Sequence, residues 1–235
     1  MKAVILAAGL GGRLRPITGA IPKCMVPVNG VRIIDKQIRN LKEAGVEDVV
    51  VVSGYKAELL EKHLADTWPG VRTVRNVRHA ETNNMYSLFL AREAVRGCGF
   101  LLMNADVYID GGMLKGLLEG GDASKIACER GRYFEESMKI VFDGEKITHI
   151  GKEVPESVSY AVSIDVYRIS AKDGEKLFDE IEDTVVRRKD ENSWTEAALD
   201  RIFPATSFVP HEIDGRWFEI DTIEDLNAAE RLFRD

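Results

Sequence analysis

Short apolar runs rich in β-branched residues alternate with helix-length amphipathic stretches through the first half of the chain, and that alternation leaves few architectures open. Strands are expected at Lys2–Ala7, Asp48–Ser53, Thr73–Asn76 and Gly99–Met103. Helices are expected between them at Ile33–Ala44, Ala57–Ala65, Tyr86–Ala94 and Gly112–Glu119, with Gly45, Gly54 and Gly97 marking junctions. A βαβα order of this kind predicts an α/β fold: a mostly parallel, doubly wound, Rossmann-like sheet with helices on both faces. Ligands of such sheets sit at the carboxyl ends of the strands.

The texture changes after about residue 122. Strand candidates follow at Lys125–Glu129, Met138–Phe142, Lys146–Ile150 and Tyr160–Arg168, with Asp143-Gly144 reading as a hairpin turn. Helices at Ala171–Ile181 and Trp194–Phe203, strands at Thr206–Pro210 and Trp217–Asp221, and a helix at Glu224–Phe233 complete the pattern. Thr222 with Asp225 is positioned to cap the last helix. No repeat or flexible linker interrupts the chain, so residues 1–235 are expected to form one domain: a core over 1–121 and a small mixed β/α part over 122–235.

Several functions are disfavoured by bulk properties. The formal net charge of −7 and the lack of any Lys/Arg-rich run argue against nucleic acid as a partner. Apolar runs such as Val49–Val52 are far too short for membrane insertion, and the first strand follows Met1-Lys2 directly, leaving no room for a signal peptide. Cys24, Cys98 and Cys128 are odd in number and far apart, as are His63, His79, His149 and His211. They suggest reduced thiols in a cytoplasmic protein, not a disulfide frame or a zinc site.

The most specific local pattern is Leu6-Ala7-Ala8-Gly9-Leu10-Gly11-Gly12-Arg13-Leu14, directly after the first strand. Small residues let backbone approach a polyanion closely, and successive N–H groups can cradle phosphate oxygens. Leu14 stands where a dinucleotide fingerprint requires glycine, Ser53-Gly54 where it wants an acid, and Lys23 lacks the Gly-Lys-Ser/Thr setting of a P-loop. Pro22 fixes the backbone leading into Lys23 and can aim that lysine at the site where Arg13 also works. Asp106 lies at the end of the apolar strand, where Mg²⁺ bridging phosphates would bind. Glu219 and Asp221, two apart on an expected strand, would share a face and complete a carboxylate set.

Together these motifs resemble the nucleotidyltransferases that make activated sugars and activated choline, a superfamily with a glycosyltransferase-A-like fold. The likeness rests on the glycine loop with Pro22-Lys23, then Asn104-Ala105-Asp106, Gly151-Lys152-Glu153 and Glu219-Ile220-Asp221. Thr82-Asn83-Asn84-Met85-Tyr86-Ser87-Leu88 and the modest length are most similar to the short LicC-type branch, the choline-phosphate and inositol-phosphate cytidylyltransferases. The resemblance implies transfer of a nucleoside monophosphate, CMP from CTP, to a small phosphorylated acceptor with release of pyrophosphate. A sugar-1-phosphate uridylyl-, thymidylyl- or guanylyltransferase is the alternative, and a non-catalytic nucleotide-binding module the remote one. Oxidoreduction is disfavoured by Leu14.

Roles follow from the same resemblance. Residues 6–11 would wrap base and ribose, Arg13 would meet the β- and γ-phosphates and Lys23 the α-phosphate. Asp106, Asp221 and Glu219 would hold Mg²⁺. Asn83, Asn84 and Tyr86 would lie beside nucleotide or acceptor, and Lys152 would contact the acceptor phosphate. For a cationic acceptor, Tyr133, Phe134, Glu135, Glu136 and Trp194 could form an aromatic and acidic cage. Arg130, Arg132, Arg187 and Arg188 could instead receive an acidic one.

Overall fold

The computed structural model describes all residues except Arg132, Phe134, Glu135 and Asp235. Strand β1 (Lys2–Ala7) leads through the glycine loop to a short helix α1 (Ile17–Ala20) and a hairpin of β2 (Pro27–Val28) and β3 (Val31–Arg32). Helix α2 (Ile33–Glu43), β4 (Asp48–Ser53), α3 (Ala57–Thr67), β5 (Arg72–Arg75), α4 (Asn84–Val95) and β6 (Phe100–Asn104) continue the alternation. Next come β7 (Val107–Ile109), α5 (Met113–Leu118), β8 (Lys125–Glu129), β9 (Lys139–Phe142), β10 (Ile147–Gly151) and β11 (Ala161–Ile169). Helices α6 (Ala171–Glu182) and α7 (Thr195–Ile202), strands β12 (Val209–Glu212) and β13 (Trp217–Glu219), and α8 (Ile223–Leu232) close the fold.

The main sheet runs β10-β9-β11-β6-β1-β4-β5, with β8 and β12 branching from β11. Strands β6, β1, β4 and β5 are parallel and β11 joins antiparallel. The α/β, mostly parallel architecture expected from the sequence is thus present. Strand β1 has β4 on one side and β6 on the other, so the chain reverses direction across the sheet at β1, which opens a crevice beyond its carboxyl end.

Alternation along β1 divides the core. Val4 and Leu6 pack with α4, α6 and α7 on one face. Ala3, Ile5 and Ala7 pack with α2, α3 and α5 on the other. Burial on both faces explains why these strands read as unbroken apolar runs. A third cluster joins Leu14 of the glycine loop, Val26 and Ile33 to Ile220 and Phe233 near the far end of the chain. No helix among the described residues is long and apolar enough to cross a membrane.

Most boundaries agree with the sequence expectation within a residue or two, and the differences have local causes. The Asn83 side chain accepts a hydrogen bond from the Asn84 amide, so α4 begins two residues before the expected Tyr86. The Asp143-Gly144 turn is closed by the Asp143 carboxylate, which accepts from the amides of Glu145 and Lys146. The expected strand Trp217–Asp221 ends at Glu219, because Thr222 and Asp225 form a reciprocal capping box that starts α8. The i, i+2 face argument therefore does not apply to Asp221. Gly54 marks a close crossing: a Cβ there would lie 2.7 Å from Ala8 Cβ, from the Ala8 carbonyl and from His79 Cβ. Gly54→Ala is expected to destabilise the fold by about 1–3 kcal/mol, measured by thermal or denaturant unfolding, because backbone must shift to make room.

Candidate functional site

The glycine loop is shaped by two constraints at one residue. Gly11 has φ +60, and a Cβ on it would lie 2.9 Å from Lys23 Cβ. The lysine can lie along the loop only because glycine is there. Pro22 has φ −66 and extended ψ, and the following turn buries Cys24 and Met25, which anchors Lys23 from beneath. The acid at the end of β6 is held with equal care. The Ala105 amide donates to the Leu6 carbonyl at 3.1 Å. Buried Gln37 donates to the carbonyls of both Asn104 and Val107 at 2.8 Å, clamping the tight turn that presents Asp106.

The chain's two ends meet through a pairing the sequence did not reveal. Strand β13 runs antiparallel to β7 with Glu219 opposite Val107, and the Ile220 amide donates to the Asp106 carbonyl at 3.0 Å. Lys23 Nζ then lies 2.7 Å from Asp106 Oδ2 and 2.5 Å from Asp221 Oδ1. Arg13 donates to the other Asp221 oxygen at 2.6 Å. Ligand atoms of Asp106, Glu219 and Asp221 fall within 4.8 Å of one another.

Charge coupling in this cluster is strong. Burial opposes the Lys23 charge, but Asp106 and Asp221 overcome it and raise the lysine pKa. Burial pushes Asp221 up, but Lys23 and Arg13 outweigh it and hold that carboxyl below its usual value. Glu219 is raised well above the carboxylate range by burial and by the charges of Asp165, Asp106 and Asp221.

Two cavities open from this cluster. One, of about 220 Å³, lies between the Leu6–Gly9 segment and Asn76, His79, Asn83 and Asn84. The other, of about 310 Å³, is bounded by Arg13, Lys152, Asp165, Trp194, Glu196 and Trp217 and shares Asn83, Asn84 and Asp106 with the first. Gly11, Gly12 and Arg13 line a further recess with Lys23, Asp106 and Asp221. Leu10 is exposed on the loop.

Other expected site residues fall as follows. Lys152 pairs with Glu136 at 2.8 Å and stands 4.4 Å over the Trp194 ring. Tyr86 does not line the cavities; it packs against Phe89 and beneath Arg78. The Tyr133 hydroxyl donates to the Tyr160 carbonyl instead of facing the second cavity. Arg132, Phe134 and Glu135 lie outside the described residues. Arg130 pairs with Glu212, and Arg187 and Arg188 pair with Asp183, all away from these cavities.

Sequence reasoning missed His79, Asp165 and Glu196. Asp165 lies in the middle of β11 with φ +57, where pairing with β8 shifts register between Ser163 and Tyr167. A carboxylate in mid-strand was the available signal for it. The Tyr167 hydroxyl lies 3.0 Å from Asp165 and 2.9 Å from Glu196. One hydroxyl proton cannot serve two carboxylates. Both acids are raised, first by burial, and Asp165 next by the Glu196 charge.

Comparison with known proteins follows this geometry. Residues 2–126, more than half of the chain, match the family model described as nucleotidyl transferase. The choline-phosphate cytidylyltransferase of Streptococcus pneumoniae is 44% identical over 109 residues, 46% of each chain. The bifunctional IPC transferase and DIPP synthase of Archaeoglobus fulgidus is 31% identical over 233 residues, 98% of this chain and 43% of that protein. The matches thus span about half or less of these curated relatives. The solved structure of the Streptococcus pneumoniae CTP:phosphocholine cytidylyltransferase superposes with TM-score 0.83 at 29% identity, covering 99% of both chains. The inositol-1-phosphate CTP transferase of T. maritima superposes with TM-score 0.81 at 25% identity, over 98% of this chain and 94% of that one. Motifs, architecture and family model agree, and the chain belongs to the nucleotidyl transferase family.

Proposed function

We propose that this chain transfers CMP from CTP to a small phosphorylated metabolite, releasing pyrophosphate, and that the acceptor carries a positive charge at its far end. The observation that carries the transfer reading is the convergence of Arg13, Lys23, Asp106 and Asp221 beside the glycine loop, between two cavities that share Asn83 and Asn84. In this reading residues 6–12 hold the nucleotide and residues after 122 supply the acceptor wall and the closing carboxylates.

An acceptor phosphate is already anionic near neutral pH, so its attack on the α-phosphorus needs no general base. The protein must bring two polyanions together and neutralise charge on the departing pyrophosphate. In this reading Lys23 contacts the α-phosphate, and Arg13, more exposed on the loop, meets the leaving group. Lys152 can steer the acceptor phosphate from the opposite wall. Asp106, Glu219 and Asp221 fit Mg²⁺: all are hard oxygen donors, and Asp106 Oδ1 is buried with no hydrogen-bond partner in the structure. When bound, Mg²⁺ would supply Lewis-acid stabilisation of phosphate charge.

Asp165 and Glu196 support a cationic acceptor. These buried acids share one tyrosine hydroxyl, with Asn104 donating to the other Asp165 oxygen at 3.0 Å, and such a pair is relieved by protonation or by a cation. Trp194 and Trp217 line the same cavity, and the Trp194 ring already carries the Lys152 ammonium at 4.4 Å, a setting that suits cations. Choline phosphate and 2-aminoethylphosphonate, named for relatives of this chain, have this chemistry; inositol phosphate does not.

Pyrophosphate release measured for each nucleoside triphosphate against cationic and neutral phosphorylated acceptors tests both parts. CTP with an ammonium-bearing acceptor is the expected best pair. No release with any pair would refute transfer, and preference for neutral polyol phosphates would refute the cationic acceptor. Glu196→Gln is expected to raise the cationic acceptor's KM about tenfold or more, the scale of losing one partner of a desolvated charge pair. A pH effect follows from the raised acids. Below their folded pKa values they hold protons, so the wild-type KM for a cationic acceptor falls as pH rises through those values. Asp165→Asn should flatten that fall. For folding, a raised acid contributes stability below its unfolded pKa and loses it as pH rises through the folded value, so unliganded wild-type protein should lose more stability than Asp165→Asn over the same rise.

A further inference from the structure

Asn83 and Asn84 form the wall common to both cavities, and behind that wall two loops distant in sequence are joined. Arg78, after β5, holds Glu191, before α7, through two parallel hydrogen bonds of 2.7 and 2.6 Å. The Asn83 amide donates to the Glu191 carbonyl at 2.9 Å and its side chain to the Asn192 carbonyl at 3.2 Å. The Asn84 side-chain oxygen accepts from the Thr195 amide at 2.8 Å, at the start of the helix that carries Glu196. The 189–195 segment is held at its other end by Asp190, whose amide donates to the Thr184 carbonyl at 3.0 Å. Its carboxylate accepts from the amides of Asn192 and Ser193.

These contacts are unequal in kind. The Asn83 and Asn84 bonds fix the loop's backbone height, whereas the Arg78–Glu191 fork fixes its rotation, because a planar guanidinium meets a carboxylate in one orientation. Trp194 and Glu196 follow within five residues of Glu191, so a small rotation there displaces both from the second cavity. Arg78 is anchored on the nucleotide side, where the sheet and α4 give a rigid base.

We propose that the Arg78–Glu191 pair is a positioning device that sets the acceptor wall against the nucleotide wall, so that breaking it weakens acceptor recognition and leaves nucleotide binding intact. The inference rests on the reading that the second cavity receives the acceptor. Neither residue contacts substrate; both act through Trp194 and Glu196.

The test compares Glu191→Gln, Arg78→Glu and the exchanged pair R78E/E191R by steady-state kinetics in both substrates, with thermal unfolding as control. Glu191→Gln is expected to raise the acceptor KM about tenfold, the cost of small misplacement in a positioned site. The KM for CTP should stay within about twofold, and any fall in melting temperature should be small, because the pair is half-exposed and the Asn83 and Asn84 contacts to the loop remain. The exchanged pair should recover most of the acceptor KM that Arg78→Glu alone loses. An unchanged acceptor KM in Glu191→Gln, an equal rise for both substrates, or no recovery in the exchanged pair would each overturn the proposal. Glu196→Gln separates the layers. If it shifts the acceptor KM while Glu191→Gln does not, only the positioning role fails. If neither shifts it, the assignment of the second cavity fails first.

Discussion

Replacing Lys23 with methionine is expected to lower kcat/KM by about 10²–10³-fold, the effect of removing one placed electrostatic stabiliser from a transfer site. Methionine keeps most of the aliphatic stem that lies along Gly11, so the glycine loop should retain its shape. The side chain of Lys23 is 13% exposed and its ammonium touches two carboxylates. Its removal leaves Asp106 and Asp221 facing each other with Arg13 as the remaining cation in contact with Asp221. Some loss of stability must accompany the kinetic defect, so circular dichroism and unfolding have to be measured on the same preparation. The pH behaviour distinguishes this lysine from a general base. A lysine whose folded pKa is raised contributes stability that is complete below the unfolded value of about 10.4 and fades only above it. Lys23 therefore stays charged throughout the neutral range, and the defect should be the same at every pH there. A folded Lys23→Met protein with near-normal turnover would remove the centre of the proposed mechanism.

The sequence made the first half of this site legible because its signals are local. A strand followed at once by small residues, a proline that aims a lysine, and an acid closing an apolar run can each be read within about ten residues. What brings the second half to them is not local. Strand β7 has three residues, too short for periodicity to reveal, yet its pairing with β13 carries Glu219 to Asp106. The sequence argument joined Glu219 to Asp221 through a shared strand face. The structure joins them differently, with the strand ending at Glu219 and Asp221 leading into the cap of α8. Glu196 was missed for a related reason: an acid in the first turn of a helix already has an ordinary explanation in the helix dipole. Only the nearby Tyr167 and Asp165 give it another. Tyr86 and Tyr133 show the opposite error, since a motif position or an aromatic run does not say which way a ring faces.

Asp106→Asn is expected to cut turnover by about 10²-fold or more at saturating substrate, because one placed charge is lost with almost no change of volume. It should also weaken divalent-ion affinity, which Mn²⁺ binding reads without turnover. Shape is preserved, so charge is what the substitution tests. The asparagine oxygen can still accept from Lys23, and Gln37 still holds the turn through the carbonyls of Asn104 and Val107. The fold should therefore suffer less than in Asp221→Asn, where Lys23 and Arg13 hold different oxygens and the amide leaves only one of them an acceptor. The ordering of the two variants is itself informative. If these carboxylates only brace Lys23 and Arg13, Asp221→Asn should be the more damaging in activity as in stability, and Mn²⁺ affinity should change in neither. If they hold a divalent ion, Asp106→Asn should lose Mn²⁺ affinity and turnover together while its melting temperature stays near wild type. Its Oδ1 is buried and, among the described residues, has no hydrogen-bond partner, and a carboxylate oxygen left in that condition is stabilised by a cation. Asp221 has no such oxygen, because Lys23 and Arg13 already match both of its own.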